Sequence, residues 1–286
     1  MRSYLTITFL LGITICIGCL LSIGLYWIQF YLLYGVEGAK QFHFLRIVSR
    51  TLTVVLFFVM IVYVKRIQQK SLSSYGLAND EFRFRLLSGG FLLGTVSMSL
   101  LILTQVFLAD SSLHNSPLQN KFFFDIVFQL LVSFTVATVE EWFFRGFTLQ
   151  TLSQDMNIRS AVILSSLFFA ATHFIRPVSH FYYLIPEFIG LFLIGVILAN
   201  AYVYTKSIYL SIGIHAGWVY IVKLDKHFVN HFDSVFQKAF GGEKLLKSMV
   251  AWLFVLIILL LLRRYSDFLQ RKNVSFLPAE LEHKSN

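Results

Sequence analysis

Glu140-Glu141-Trp142-Phe143-Phe144-Arg145-Gly146 closes a nearly uncharged run that begins at Phe122. An ionisable side chain inside lipid costs roughly 2.5–3.5 kcal/mol on insertion scales, so such groups usually face protein and carry function. Here Glu140, Glu141 and Arg145 fall within one short stretch. On a helix, Glu141 and Arg145 are four residues apart with the glutamate first, the favourable order for an ion pair. Glu140 is turned about 100° away from Glu141 and is left to meet a group on another helix.

The rest of the chain makes that stretch intramembrane. Of 286 residues, 57% are hydrophobic, 17% aromatic and only 14% charged; a soluble domain carries about 25% charged residues. Eight apolar segments, about 4–34, 47–64, 86–109, 122–152, 158–175, 183–205, 207–222 and 248–262, approach the ~20 residues that a bilayer requires. The expected fold is therefore all-α: a polytopic integral membrane protein of about eight transmembrane helices. It divides into N-terminal helices (1–121), a helix bundle carrying the polar groups (122–222), and a loop, last helix and polar tail (223–286). The boundary near Lys206 is the least marked, and the tail from Phe276, with Pro278, reads as disordered.

The net charge of +9 would suggest nucleic acid in a soluble protein. Here the Lys and Arg gather in loops, as the positive-inside rule expects, so no nucleic-acid partner is implied. Lys65, Arg66, Lys70, Arg83 and Arg85 in one loop, and Arg263, Arg264, Arg271, Lys272 and Lys284 in the tail, place both termini in the cytoplasm. The lysine-rich 223–247 loop opposes that assignment, with Asp225, Asp233 and Glu243 interspersed. Cys16 and Cys19 lie on one face of the first apolar run and read as packing residues, with no second pair for a metal site.

Only two histidines lie deep in apolar runs, His173 and His215. Counting at 1.5 Å per residue, Glu140, His173 and His215 lie ~18, ~22 and ~13 Å from the same side. Two His and a Glu are a zinc-protease ligand set; alternatively, a Glu and a His can deprotonate water directly. Ser165 stands eight residues before His173, about 80° round the helix and two turns away, a poor nucleophile–base pair.

Glu140-Glu141-xxx-Arg145-Gly146 resembles the EExxxR motif of the CPBP (CAAX prenyl protease and bacteriocin-processing, or Abi) family of membrane proteases. Phe169-Ala170-Ala171-Thr172-His173, preceded by Ser165-Ser166-Leu167, is similar to its FxxxH motif. Ile212-Gly213-Ile214-His215-Ala216-Gly217-Trp218 is similar to its third motif, HxxxN or HxxxD. Gly190 and Gly195 match the helix before it, and Ser73-Tyr75-Gly76-Leu77 is weakly similar too. The resemblance spans about 125–222, with its three motifs in order on separate apolar segments.

The resemblance implies hydrolysis of a peptide bond within the membrane. The substrate would be a membrane protein or a prenylated or otherwise hydrophobic peptide. It makes Glu140 the residue that activates water and His173 its partner. His215 would bind metal or steady the oxyanion, and Glu141 and Arg145 would organise the site. Phe169 and Trp218 would pack or position substrate. A divalent metal such as zinc, held by Glu140, His173 and His215, and a metal-free Glu/His mechanism both fit the family. The implied location is a bacterial cytoplasmic membrane. One position departs from the pattern: Val219 stands where the family carries Asn or Asp, and Trp218 or Tyr220 would have to supply the missing polar group. The alternatives are an inactive scaffold or bacteriocin-immunity protein, and a proton-coupled transporter. The absence of an internal repeat weighs against the transporter.

Overall fold

The structure, a computed structural model, describes residues 2–29, 44–77, 82–108, 112–113, 121–174, 185–225, 227–230 and 249–271. Among them, eight long helices follow the hydropathy: α1 Arg2–Gln29, α2 Phe44–Val62, α3 Arg83–Leu108, α4 Lys121–Glu141, α5 Ile158–Thr172, α6 Ile185–Thr205, α7 Ile208–Asp225 and α8 Met249–Arg271. Four stretches, Leu5–Ile28, Arg83–Thr104, Phe122–Leu152 and Ile185–Thr205, are long and apolar enough to cross a membrane. The chain is an all-α polytopic membrane protein. Among the described residues the one extended pairing is short, Ser112–Leu113 (β1) antiparallel to Val229–Asn230 (β2).

One segment end differs from the hydropathy reading, and one uncertain boundary is placed. The last helix does not stop at Leu262 but carries Arg263 and Arg264 and runs to Arg271. No Gly or Pro interrupts it before Pro278, and helices end at such residues rather than at the edge of an apolar run. Near Lys206 the break is real. Thr205 ends α6, Lys206 takes a left-handed φ of 55°, and the Thr205 hydroxyl donates to Ala201 O at 2.8 Å. The Phe276–Asn286 tail and most of the 223–247 loop lie outside the described residues.

α3 and α7 meet along a seam of glycines. Gly90 and Gly94 of α3 face Gly213 and Gly217 of α7. A Cβ on Gly94 would stand 2.3 Å from Ile214 O, and one on Gly213 would stand 2.3 Å from Leu87 O. Small residues four apart let membrane helices touch backbone to backbone, where van der Waals packing drives association. Trp218 of α7 adds a hydrogen bond, Nε1–H to Ser97 Oγ at 2.9 Å. His215 lies between the two α7 glycines, so this seam fixes its depth and direction.

One end of the bundle is closed by a plug. After Glu141, α4 widens into a π-helical stretch, Trp142–Leu149, in which every residue is buried. Leu72–Tyr75 forms a 3₁₀ turn ended by Gly76 at φ 89°, a conformation glycine adopts freely. Tyr75 is buried, its ring 5.7 Å from that of Phe147, and a Cβ on Gly146 would lie 2.5 Å from Tyr75 O. The Tyr75 hydroxyl donates to Gln68 Oε1, and burial raises the phenol pKa above its ordinary value. The 150–157 turn and the α6–α7 turn lie at this same end. A Cβ on Gly76 would meet Ile208 at 2.7 Å and Tyr202 at 3.5 Å.

Candidate active site

The α-to-π transition in α4 falls between Glu141 and Trp142, beside the motif. π-Helical turns are rare and concentrate at functional sites. Arg145, 1% exposed, donates Nη1–H to Glu141 Oε1 at 2.8 Å. Its Nη2–H reaches Gly195 O on α6 at 3.1 Å. The guanidinium lies 4.7 Å from the centre of the Phe169 ring, a stacking contact that suits arginine. The helical ion pair expected from the spacing is thus present, and it ties α4 to α6.

Glu141 does more than neutralise Arg145. The same Oε1 accepts a hydrogen bond from His215 Nδ1 at 2.8 Å. Accepting there leaves the proton of the neutral imidazole on Nδ1 and turns Nε2 towards the site, since the partner of one ring nitrogen sets the role of the other. His173, the C-cap of α5, is held in the same way: its Nδ1 meets Phe169 O at 2.8 Å. Asn157 starts α5, its side chain accepting from Ser160 N at 3.0 Å.

Both Nε2 atoms point at one oxygen. His173 Nε2 and His215 Nε2 each lie 3.9 Å from Glu140 Oε2, and that oxygen is buried without a hydrogen-bond partner. Glu140 and His173 are 22% and 33% exposed, whereas the His215 side chain is 8% and Glu141 0% exposed. The site therefore has an open side, at Glu140 and His173, and a sealed side, at Glu141 and Arg145. Phe169 is the wall between them, its ring 4.6 Å from that of His173 and 6.0 Å from that of His215.

The structure brings Glu140, Glu141, Arg145, His173, His215 and Phe169 together. Trp218 is set apart, buried against α3 on Ser97, and Val219 is half-buried one turn beyond His215. Tyr220 lies against Phe91 of α3, the ring centres 5.8 Å apart and the planes tilted by 40°. Ser165 donates to Phe144 O in the π-helical stretch at 3.1 Å. Ser166 lies against Gly195, where a Cβ would be 2.9 Å from its own, so both serines serve packing. The contribution of Gly90, Gly94 and Ser97 was missed from sequence, although the paired Gly-xxx-Gly spacing in α3 and α7 was there to read.

A site of glutamate and histidine set in a polytopic helical bundle is similar to that of CAAX-protease-type membrane proteins. Residues 122–221 match the family model described as Rce1-like, type II CAAX prenyl endopeptidase Rce1-like, so this segment is similar to that family. The match runs from the start of α4 into α7, takes in all three motifs, and supports a CAAX-type intramembrane protease in general. No curated protein and no solved structure matches the chain.

Proposed function

We propose that the protein is an intramembrane endopeptidase that cleaves a membrane-associated or hydrophobic peptide, lipidated or not. The observation that carries the reading is the convergence of two oriented imidazoles, each with Nε2 3.9 Å from the unpartnered Glu140 Oε2. Glu140 takes a proton from a water held between these groups, and the resulting hydroxide adds to the scissile carbonyl. His215, fixed through Glu141, stabilises the oxyanion when its ring carries a proton on both nitrogens and donates Nε2–H, and His173 orients the water. The tetrahedral intermediate collapses as the C–N bond breaks, and the proton on Glu140 passes to the leaving amine.

The spacing bears on the cofactor. Two ligands about 2.1 Å from a tetrahedral zinc stand about 3.4 Å apart, closer than the 3.9 Å seen here. A water about 2.8 Å from each of two partners spans 3.9 Å at an angle of about 90°. Among the described residues, no group of three His, Cys, Asp or Glu is arranged to hold a metal ion. We therefore favour the metal-free Glu/His mechanism and route no step through zinc.

The test is cleavage of quenched hydrophobic peptides, with and without a lipid chain, by the protein reconstituted in vesicles. Wild type is expected to cleave and to keep its rate after chelation. His173→Ala is expected to lose it, by the 10²–10⁴ that a positioned acid or base typically supplies. Loss of activity on chelation, restored by zinc, would return the site to the metalloproteases. The second reading, an inactive scaffold or immunity protein, is favoured by Val219 alone. Wild type cleaving no faster than His173→Ala would establish it.

A further inference from the structure

Between Phe122 and Val139 the side chains of α4 that can hydrogen-bond are Asp125, Gln129, Ser133, Thr135 and Thr138. At 100° per residue, Gln129 and Ser133 fall within about 20° of Glu140 around the helix axis and Asp125 within about 60°. Thr135 and Thr138 fall on the opposite side, and the exposed Thr135 returns its hydroxyl to Leu131 O at 2.8 Å. The polar face of this otherwise apolar helix is therefore the face that carries Glu140.

Ser133 is the fully buried member of that face. Its exposure is 0%, and its hydroxyl has no protein hydrogen-bond partner. The buried hydroxyls of Thr14, Ser22, Ser166 and Thr205 donate to the carbonyl four residues back, at 2.6–2.8 Å. That bond is the usual refuge of a Ser or Thr inside a helix, and Ser133 does not make it. An orphaned hydroxyl in an apolar interior is costly, and buried waters typically satisfy such groups.

The helix pairing shows what stands around it. α4 and α7 run antiparallel, with Glu140 meeting His215 and Asp125 meeting His227. Midway, the rings of Phe134 and Tyr220 both lie against Phe91 of α3, their centres 5.1 and 5.8 Å from it. Ser133 is thereby level with the half-buried Val219, which offers neither donor nor acceptor. Along its own face, Glu140 follows two turns on, about 10 Å of axis. Side chains of an α-helix lean towards its N-terminus, so the Glu140 carboxylate reaches back towards Ser133. The gap left, roughly 6–7 Å, is the span of two waters in a chain with links of about 2.8 Å. Both of its ends are buried oxygens without a protein partner, Ser133 Oγ and Glu140 Oε2.

We infer that Ser133 is a positioning residue for the reacting water: its hydroxyl anchors a second, buried water that is hydrogen-bonded to the water on Glu140 Oε2. Ser133 touches neither substrate nor oxyanion. The second water holds the first against the carboxylate and takes its place after each hydrolysis. This rests on the protease reading of the same site and adds a residue to it.

Structures of wild type and Ser133→Ala at a resolution that shows ordered water test the site without turnover. A water within about 3 Å of Ser133 Oγ, in a chain to Glu140 and lost in Ser133→Ala, is expected. Ser133 Oγ bonded instead to a protein carbonyl, or a chain that persists in Ser133→Ala, would overturn the proposal. Cleavage by the reconstituted variants tests the role. Ser133→Ala is expected to lower kcat by about 10–10²-fold, the scale of a misplaced reactant, with KM and thermal midpoint unchanged. Ser133→Thr, which keeps a hydroxyl, is expected to recover part of that loss, and Thr135→Ala to cleave like wild type. A kcat of Ser133→Ala equal to that of wild type would overturn the role. Wild type cleaving no faster than His173→Ala would instead sink the protease reading and the role with it, and the two failures are told apart by whether wild type is active.

Discussion

Glu141 holds two cationic or protonated partners on one oxygen, Arg145 Nη1 and His215 Nδ1, both at 2.8 Å. Removing it leaves a fully buried guanidinium without its carboxylate, and breaking a buried pair from one side costs about 3–5 kcal/mol. Glu141→Ala should therefore lower stability by that order, read as a fall in the thermal midpoint of the detergent-solubilised protein, with activity lost alongside. A stability equal to wild type would mean that Arg145 finds another counter-charge. At Val219 the expectation runs the other way. A single oxyanion donor is worth about 10²–10³ in rate, and this side chain donates nothing. Val219→Asn should raise kcat on the peptide substrates, with KM moving less; an unchanged or lower kcat would show that the donor is supplied elsewhere. Sequence made the Glu141–Arg145 pair legible, because four residues on one helix decide it. It could not show the Glu141–His215 bond, whose partners are 74 residues apart.

The eight helices were readable from hydropathy because lipid imposes a length and a composition on each span. What hydropathy misses is how spans pack, since lipid-facing and buried positions are equally apolar. The α3–α7 seam shows this. Gly89 has nothing within 4 Å of an added Cβ, whereas at Gly94 the Cβ would stand 2.3 Å from Ile214 O. Gly94→Ala should force the helices apart, move His215 and cost about 1–3 kcal/mol. Gly89→Ala, with open space and better helix propensity, should be neutral or gain up to about 1 kcal/mol. Thermal midpoints of the two variants read the contrast, and equal midpoints would mean that the seam does not bear on stability. The π-helical turn after Glu141 was equally illegible: its residues, Trp142–Leu149, have no signature that separates them from an ordinary α-helix.

At the scale of the whole molecule, the segment 122–221 that matches the Rce1-like family model holds Glu140, His173 and His215 but not all the groups that place them. α3 lies outside that segment and supplies the glycines and Ser97 against which α7 rests, and Tyr75 closes the floor beneath Gly146. The bundle thus brings one carboxylate, Glu140, to two imidazoles from separate helices, and the protease reading depends on that carboxylate. The most direct test is the rate of peptide cleavage by reconstituted Glu140→Gln beside wild type, with thermal midpoints confirming that both are folded. The amide keeps the shape and removes the base, so a loss of about 10²–10⁴ in kcat at an unchanged midpoint is expected. A folded Glu140→Gln variant that cleaves as fast as wild type would contradict it.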